Sequence, residues 1–334
     1  MCTSIVWSKE TNGQATLVAR NMDWFAPMGT NLWVLPAGQA RVGLSAGNAL
    51  RWSSKYGSVV ASSYDLMVAD GMNEEGLTAH ALWLSDSTFG PRDESLPGVS
   101  MALWAQYYLD NFKTVAEAVE ATDANPFQVV PVFEVGRVST MHLQISDATG
   151  DVAVIELLDG KTVITRGKKY PVLTNQPTFS EQLAHLKAFA GFGGKEQLPG
   201  TVSPEDRFVR ASYYLKNLEH PRTYEQAVAY VLSVARNAAQ PYVSQPASVG
   251  PDISPTIWRS ISDSTNLLYM FESTSLPFLI WLNLNDLDFS EGAPVRKLLL
   301  KDQADKIGQV NAQLEDQDLF NFALPTGAQE EEGA

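Results

Sequence analysis

The stretch of sequence that decides the fold is MCTSIVWSKETNGQATLVARNMDW, residues 1–24. It contains two short runs of apolar and β-branched residues, 3–7 and 16–20, on either side of the turn-forming Thr-Asn-Gly at 11–13. Two such runs joined by a glycine-containing turn predict a β-hairpin. The hairpin would place Cys2, at the start of the first strand, beside Arg20, at the end of the second strand.

Cys2 is the only cysteine among the 334 residues, and it directly follows Met1. Removal of Met1 would leave a thiol and an α-amine on the same residue. An α-amine with an ordinary pKa of about 7.7–8.0 can accept the thiol proton near neutral pH, and the resulting thiolate is the reactive nucleophile. The position of Cys2 therefore predicts a catalytic N-terminus. The alternative is that Cys2 is a small apolar residue of an edge strand.

Arg20 and Asp23 place a cation and a carboxylate three residues apart at the end of the predicted hairpin. A guanidinium near sulfur stabilises a thiolate, and a carboxylate that accepts a hydrogen bond from an α-amine orients that amine. Without a nearby thiol, these two residues would be interpreted as a surface ion pair. With Cys2 in the adjacent strand, a role beside the nucleophile is favoured.

Composition and charge argue against several functions. The chain has 24 basic and 38 acidic residues, and its net charge of -14 disfavours binding to nucleic-acid phosphates. No apolar run approaches the roughly 18 residues of a membrane-spanning helix. The four histidines are far apart, and Gly193-Gly194-Lys195 is followed by Glu196 rather than Ser or Thr. We therefore expect no metal site, no phosphate-binding loop and no cofactor.

Cysteine content leaves the cellular compartment open, because a single cysteine is compatible with both a reducing cytoplasm and an oxidising periplasm. The first residues lack the basic and apolar regions of a signal peptide. We expect a periplasmic location if a signal peptide was removed ahead of these residues, with a cytoplasmic location as the alternative.

Strands and helices are predicted in separate groups along the chain. Hydrophobic patterns and turn signals predict strands at 32–35, 58–63, 77–84, 141–145, 152–157, 162–165, 256–261, 266–271 and 278–284, and helices at 101–109, 115–121, 181–190, 204–218 and 224–236. This grouping favours an α+β fold with two antiparallel sheets face to face and helices outside. We predict one domain over 1–322 and an acidic, disordered tail over 323–334.

Several short motifs, taken in order, resemble the choloylglycine hydrolases. These are N-terminal-nucleophile (Ntn) cysteine amidases that include bile salt hydrolases and penicillin V acylases. The matching stretches are Met1-Cys2-Thr3, Arg20-Asn21-Met22-Asp23, Asp70-Gly71-Met72-Asn73-Glu74-Glu75-Gly76-Leu77, Leu173-Thr174-Asn175, Asp206-Arg207-Phe208-Val209-Arg210 and Thr256-Ile257-Trp258. The resemblance spans nearly the whole chain, and it implies a four-layer αββα Ntn-hydrolase sandwich.

The resemblance also implies roles for five residues. Cys2 would be the nucleophile, with Arg20 and Asp23 as its catalytic neighbours. Asn175 would donate a hydrogen bond in the oxyanion hole, and Arg207 would be the buried arginine that supports the site. From the residues alone, Asn175 is equally interpretable as a turn residue before a proline, and Arg207 as a helix-surface arginine.

Trp83 departs from the bile salt hydrolase pattern, which commonly has Asn at this place. The oxyanion contribution at Trp83 would therefore come from its backbone N–H. Trp24 and Trp83 offer two apolar faces for an aromatic or fatty acyl group, although a core role is the alternative. This departure resembles the Gram-negative penicillin V acylases, some of which also cleave N-acyl homoserine lactones. The short segment between Asn175 and Arg207 leads us to expect a homotetramer.

The predicted function is hydrolysis of a small-molecule linear amide by an N-terminal cysteine. Penicillin V is the favoured substrate, with N-acyl homoserine lactones as possible further substrates. The first alternative is a conjugated bile salt hydrolase. The second is a non-catalytic small-molecule binding protein, for which Cys2→Ala would leave ligand affinity intact.

Overall fold

The chain folds around two large sheets. The computed structural model describes residues 1–134, 136–242, 254–276, 278–301 and 306–325. The strands are β1 (Cys2–Trp7), β2 (Leu17–Asp23), β3 (Leu32–Leu35), β4 (Ala40–Val42), β5 (Arg51–Ser53), β6 (Ser58–Ser63), β7 (Met67–Asn73), β8 (Thr78–Trp83), β9 (Gly98–Ser100), β10 (Gln128–Val130), β11 (Phe133–Glu134), β12 (Arg137–Val138), β13 (Met141–Ser146), β14 (Val152–Leu158), β15 (Lys161–Arg166), β16 (Val172–Leu173), β17 (Thr256–Asp263), β18 (Leu268–Ser273), β19 (Leu279–Asn283), β20 (Arg296–Leu298), β21 (Gly308–Gln309) and β22 (Glu315–Asp316). The helices are α1 (Lys9–Asn12), α2 (Met101–Asn111), α3 (Val115–Ala124), α4 (Phe179–Leu186), α5 (Pro204–Lys216) and α6 (Tyr224–Asn237).

The two sheets are built from different parts of the chain. The first has the strand order β16-β1-β2-β17-β18-β19-β21, and the second has the order β15-β14-β13-β8-β7-β6-β3-β20-β22. Neighbouring strands in both are antiparallel, except that β19 and β21 are parallel. Helices α5 and α6 pack on β1 and β2, whereas α2 packs on β7 and β8. The result is the predicted four-layer αββα arrangement.

Side-chain alternation along β1 connects these layers. Ser4 faces the second sheet, where its hydroxyl donates to Gln144 on β13 at 2.6 Å. Thr3 faces the helices, where its hydroxyl accepts from Arg207 on α5 at 2.7 Å. Because successive strand residues point to opposite faces, Cys2 lies on the Ser4 side, between the two sheets.

The N-terminal hairpin is confirmed, with a longer connection than a tight turn. β1 and β2 pair antiparallel with Cys2 opposite Met22 and Ser4 opposite Arg20. The single-turn helix α1 lies between them and ends at Gly13, whose φ of 77° is left-handed. The buried Asn12 side chain donates to the carbonyls of Trp7 and Ala15 and so closes the loop.

Strand β7 was not predicted, and it has the largest consequence for the site. Its sequence, MVADGMN, contains Asp70 and Gly71 in the interior of a fully buried strand. Both residue types are depleted in strands, so local propensity argues against this element. The carboxylate is tolerated because Asp70 pairs across to His80 on β8 and has buried polar partners.

Smaller differences concern the ends of elements. Helix α4 begins earlier than predicted because Thr178 and Glu181 form a capping box. Strand β18 begins later because the Asp263 carboxylate accepts from the backbone N–H groups of Thr265 and Asn266. At the start of the predicted tail, the Ala323 N–H donates to Leu66 at 2.8 Å, and residues 326–334 lie outside the described residues. Among the described helices, none has the length and apolar character to cross a membrane.

Candidate active site

The Cys2 thiol lies at the start of β1 in the gap between the two sheets, and it is buried. Nη2 of Arg20 donates to Cys2 Sγ at 3.4 Å and to the Ala81 carbonyl on β8 at 2.7 Å. The thiol itself contacts the Met22 sulfur at 3.7 Å. The structure therefore shows the predicted contact between Arg20 and Cys2. Through this guanidinium, the thiol on β1 is connected to β8 of the second sheet.

A buried polar cluster lies behind Arg20. Nε of Arg20 is 3.7 Å from Asp70 Oδ2, which is also 2.5 Å from His80 Nδ1. The other carboxylate oxygen accepts from the Tyr269 hydroxyl on β18 at 2.5 Å. Burial raises the pKa of Asp70, but His80, Arg20 and Tyr269 outweigh this effect and leave the pKa lowered. Burial and the charge of Asp70 raise the pKa of Tyr269 well above its ordinary value. Asp70 is therefore a stable carboxylate that orients Arg20.

This cluster makes the stability of the protein depend on pH. Because the pKa of Asp70 is lower in the folded chain than its ordinary 3.8, its ionisation stabilises the fold above that pH, and this stabilisation is lost as pH falls through the lower folded value. We expect the difference in unfolding free energy between wild type and Asp70→Asn to be constant above about pH 5 and to shrink below about pH 4. Denaturant titrations of both proteins at several pH values would measure this difference in unfolding free energy. The exposed Asp316→Asn is the control, and a pH-independent difference for Asp70→Asn would contradict the assignment.

The backbone of Cys2 is held from the opposite side by two further residues. Its N–H donates to Asn175 Oδ1 at 2.7 Å, and its carbonyl accepts from Arg207 Nη1 at 2.6 Å. Arg207 Nη2 also donates to Asn175 Oδ1 at 2.7 Å. Arg207 is fully buried in the first half of α5, whereas Arg210 points to the carbonyls of Pro199 and Thr201. The structure thus places Arg207, and not Arg210, against the backbone of Cys2.

Asp23 is fully buried at the end of β2. Its carboxylate accepts from the Thr256 hydroxyl at 2.5 Å and from the Gln240 amide at 2.8 Å, and it is 3.6 Å from Arg207 Nη1. Its backbone carbonyl accepts from the Met1 amino group. Burial lowers the pKa of that amino group, although Cys2 and Asp23 oppose the effect. With Met1 present, the chain's only free α-amine is therefore one residue away from the thiol.

The thiol opens into a small apolar pocket. Its lining consists mainly of methionine, aromatic and alanine side chains: Met1, Cys2, Met22, Trp24, Met28, Ser63, Tyr64, Met67, Ala69, Ala81, Trp83, Arg137, Ser139 and Met141. The ring centroids of Trp24 and Trp83 are 5.8 Å apart. Free space in the pocket amounts to ≈ 40 Å³, which is a few times the roughly 10–15 Å³ that one water requires. An acyl group can enter only if lining side chains move away.

A larger cavity of ≈ 360 Å³ lies on the opposite face of β1. Trp7, Phe179 and Phe208 are among its lining residues, and none of the predicted site residues lines it. Cavity volume alone would therefore not identify the pocket at the thiol. The predicted nucleophile and its cation meet at the smaller pocket, which Cys2 lines.

Comparisons with known proteins agree with this geometry. The sequence profile of the linear amide C–N hydrolases of the choloylglycine hydrolase family matches residues 2–305. The chain belongs to the choloylglycine hydrolase family. It is therefore a linear amide C–N hydrolase, as predicted.

Two penicillin V acylases are similar over nearly the whole chain. The penicillin V acylase of Pectobacterium atrosepticum is 39% identical over 346 aligned residues, which cover 96% of this chain and 92% of the relative. The structure of the penicillin V acylase from Agrobacterium tumefaciens superimposes with a TM-score of 0.88 at 44% identity, covering 97% of this chain and 100% of that one. The C2A mutant of the conjugated bile acid hydrolase from Clostridium perfringens shares the fold, with a TM-score of 0.75 at 21% identity over 93% and 99% of the two chains.

Asn175, the residue predicted to donate a hydrogen bond in an oxyanion hole, contacts the backbone of Trp83. Asn175 Nδ2 donates to the Trp83 carbonyl at 2.7 Å. An amide nitrogen carries two hydrogens, so one remains for an oxyanion. Trp83 contacts Asn175 through its carbonyl, and the proposed use of its N–H stays a prediction. Trp24 and Trp83 both line the thiol pocket, as a substrate role requires.

Four residues of this site were not singled out from the sequence: Asp70, His80, Arg137 and Tyr269. Asp70 was noticed only as part of a turn motif, and His80 only as one of four scattered histidines. A usable signal would have been the register of β7 against β8, which places Asp70 opposite His80. That register depends on pairing between strands and is not visible in either segment alone.

Proposed function

We propose that this choloylglycine hydrolase family member is a penicillin V acylase-like amidase in which Cys2 is the nucleophile. The observation that carries the proposal is the 3.4 Å contact between Arg20 Nη2 and Cys2 Sγ beside a pocket with two tryptophans. A guanidinium at that distance stabilises negative charge that develops on the sulfur during attack. The penicillin V acylase relatives support the choice of reaction.

Removal of Met1, alone or with any residues before it, is the proposed activation step. With Met1 present, the Cys2 nitrogen belongs to a peptide bond, and its N–H donates a hydrogen bond to Asn175 Oδ1. Cleavage converts this nitrogen into a free α-amine on the same residue as the thiol. It also removes the Met1 side chain from the lining of the pocket, where free space is now ≈ 40 Å³. The same cleavage therefore creates the base and makes room for the acyl group.

In the proposed reaction, the α-amine takes the thiol proton and the thiolate attacks the acyl carbonyl. The carbonyl π electrons move to oxygen, which the free Asn175 Nδ2 hydrogen and the Trp83 N–H stabilise. The C–N bond then breaks, and the leaving amine takes the proton from the α-ammonium. Water, deprotonated by the same α-amine, attacks the thioester and releases the acid and the thiol. Arg20 stabilises the thiolate, while Asp23 and Arg207 hold the strand ends in place.

The tryptophans favour an aromatic or fatty acyl group. Trp24 Nε1 donates to the Tyr64 hydroxyl at 2.8 Å, which fixes the ring at the pocket wall. Aromatic acyl groups gain from tilted ring contacts in addition to burial. The phenoxyacetyl group of penicillin V can make both ring contacts and apolar contacts with the tryptophans. The acyl chain of an N-acyl homoserine lactone can make the apolar contacts only. Bile salt hydrolysis is the second candidate, because a bile salt hydrolase/transferase of Clostridium perfringens is 27% identical over 64% of this chain.

A three-substrate assay tests the proposal. We expect the highest kcat/KM for penicillin V, with N-dodecanoyl homoserine lactone second and glycocholate lowest. If glycocholate has the highest kcat/KM, the protein is a bile salt hydrolase and the proposal is wrong. Ligand binding that is unchanged in Cys2→Ala, with no turnover of any amide by wild type, would replace it by a non-catalytic binding protein.

We expect Cys2 to be the first residue of the active enzyme. Intact-protein mass spectrometry of fractions separated by activity would measure this, and N-terminal sequencing would serve as the control. We expect a fraction that retains Met1 to hydrolyse penicillin V at less than about 1% of the rate of the processed form, because its base is displaced by one residue. Full activity with Met1 in place would contradict the activation step.

Assembly and compartment stay predictions. Light scattering coupled to size exclusion would measure whether the chain forms the expected homotetramer. Cell fractionation would separate a periplasmic from a cytoplasmic location.

A further inference from the structure

Arg137 holds an unusual place at the mouth of the thiol pocket. It opens the short strand β12, which pairs only with β11 among the described residues. Its guanidinium carbon is 4.9 Å from the ring centroid of Phe25, 5.4 Å from that of Trp24 and 5.2 Å from that of Trp83. Three aromatic rings thus surround one cation, each within the range of a cation–π contact.

Among the described side chains, the contacts of Arg137 are with aromatic rings, and Glu134 lies opposite it in the β11–β12 register. Arg137 is the one cationic side chain among the described residues that line the pocket. Cation–π contacts use the face of a guanidinium, whereas its five N–H donors lie in the plane of the group. The contacts with the rings therefore leave the donors for a ligand. A planar fork of donors matches the geometry of a carboxylate.

The position of Arg137 indicates which half of a substrate it meets. The acyl half needs the apolar wall near Cys2, formed by Trp24, Trp83 and methionines. Arg137 belongs instead to the β11–β12 hairpin, whose Phe133 and Val138 are 64% and 46% exposed. An amide whose acyl group lies against that wall and whose carbonyl meets the thiol leaves its amine half for the part of the pocket that Arg137 lines.

We propose that Arg137 is a specificity-determining residue that binds a carboxylate on the amine half of the amide substrate. The inference rests on the proposed function and assigns a residue to the amine half of its substrate.

A pair of substrates that differ in one charge tests this proposal. N-phenoxyacetylglycine and N-phenoxyacetylglycinamide share the acyl group and the scissile bond. We expect wild type to favour the acid by about ten-fold or more in kcat/KM, as for a hydrogen bond to a charged group. In Arg137→Gln the preference falls to about two-fold or less, mainly through KM, and Arg137→Lys retains part of it. The control is Arg51→Gln, an exposed arginine in another short hairpin, which keeps the full preference.

Binding to the inactive Cys2→Ala variant separates this proposal from the proposed function. Calorimetry with the same two compounds should show tighter binding of the acid, and this difference should vanish when Arg137→Gln is added. A wild type without preference, or a preference that survives in Arg137→Gln, overturns the role of Arg137. A binding preference that depends on Arg137 without any turnover by wild type supports that role and refutes the amidase proposal instead.

Discussion

Replacing Cys2 by Ser lowers kcat/KM for penicillin V by about 10³-fold or more. A hydroxyl is far harder to deprotonate than a thiol, and neither an α-amine nor the guanidinium of Arg20, placed 3.4 Å from the sulfur, compensates for that difference. The substitution keeps nearly the same size, so the packing of the β1–β2 hairpin is retained. Steady-state kinetics on the processed enzyme would measure the loss.

The lone cysteine supplies a second measurement of the same residue. Because Cys2 is the only cysteine in the sequence, iodoacetamide can alkylate one thiol only, and that modification should abolish activity. Excess reaction product should slow the alkylation, because the product and iodoacetamide compete for the pocket at Cys2. Cys2→Ser should take up no label while its circular dichroism spectrum matches that of wild type. Turnover that survives alkylation or the substitution would mean that another group is the nucleophile.

Replacing Arg20 by Gln is expected to affect both stability and catalysis. Arg20 is fully buried and lies 3.7 Å from the buried Asp70 carboxylate. Removal of Arg20 leaves the buried Asp70 with His80 and Tyr269 as its remaining partners, and loss of one member of a buried ion pair typically costs up to about 3–5 kcal/mol of unfolding free energy. The thiol also loses its nearest cation. We therefore expect slower alkylation by iodoacetamide at pH 7 and a kcat reduced by about 10²-fold or more.

A matched control for this substitution exists elsewhere in the chain. Arg41 and Asp110 form another buried pair, with Nε and Oδ2 3.3 Å apart, and neither residue lines the thiol pocket. Arg41→Gln should therefore lower the unfolding free energy by a comparable amount while leaving the alkylation rate of Cys2 unchanged. Adding Asp70→Asn to Arg20→Gln should restore none of the thiol reactivity, because the asparagine supplies no cation at the sulfur. Equal alkylation rates in Arg20→Gln and Arg41→Gln would show that Arg20 acts on the fold alone.

The hairpin illustrates how far local pattern predicts the site. Two β-branched runs around a short connection predicted that Cys2 and Arg20 would approach each other, and the observed register places Arg20 opposite Ser4, two residues from Cys2. The prediction succeeded because both residues belong to one local unit. Arg207 and Arg210 could not be distinguished in the same way, since one turn of helix separates them. Only the packing of α5 against β1 brings Arg207 to the Cys2 carbonyl.

The contacts of Arg20 with the second sheet could not be predicted from local sequence patterns. Its guanidinium on β2 contacts the Ala81 carbonyl on β8 and the Asp70 carboxylate on β7, and both of these strands belong to the other sheet. Tyr269 on β18 completes the cluster from the first sheet. Contacts between sheets depend on how two large surfaces stack, and no spacing within a single segment encodes that stacking.

The sequence by itself predicted the approach of Arg20 to Cys2, the grouping of strands and helices, and the family, because each of these depends on residues close together or on motifs in a set order. The tertiary structure alone decided which buried carboxylate supports Arg20 and which cation stands over the tryptophans. Asp70 and Arg137 lie far from Cys2 along the chain. Only the stacking of the two sheets brings Asp70 to Arg20, and only the placement of the β11–β12 hairpin brings Arg137 to the thiol pocket.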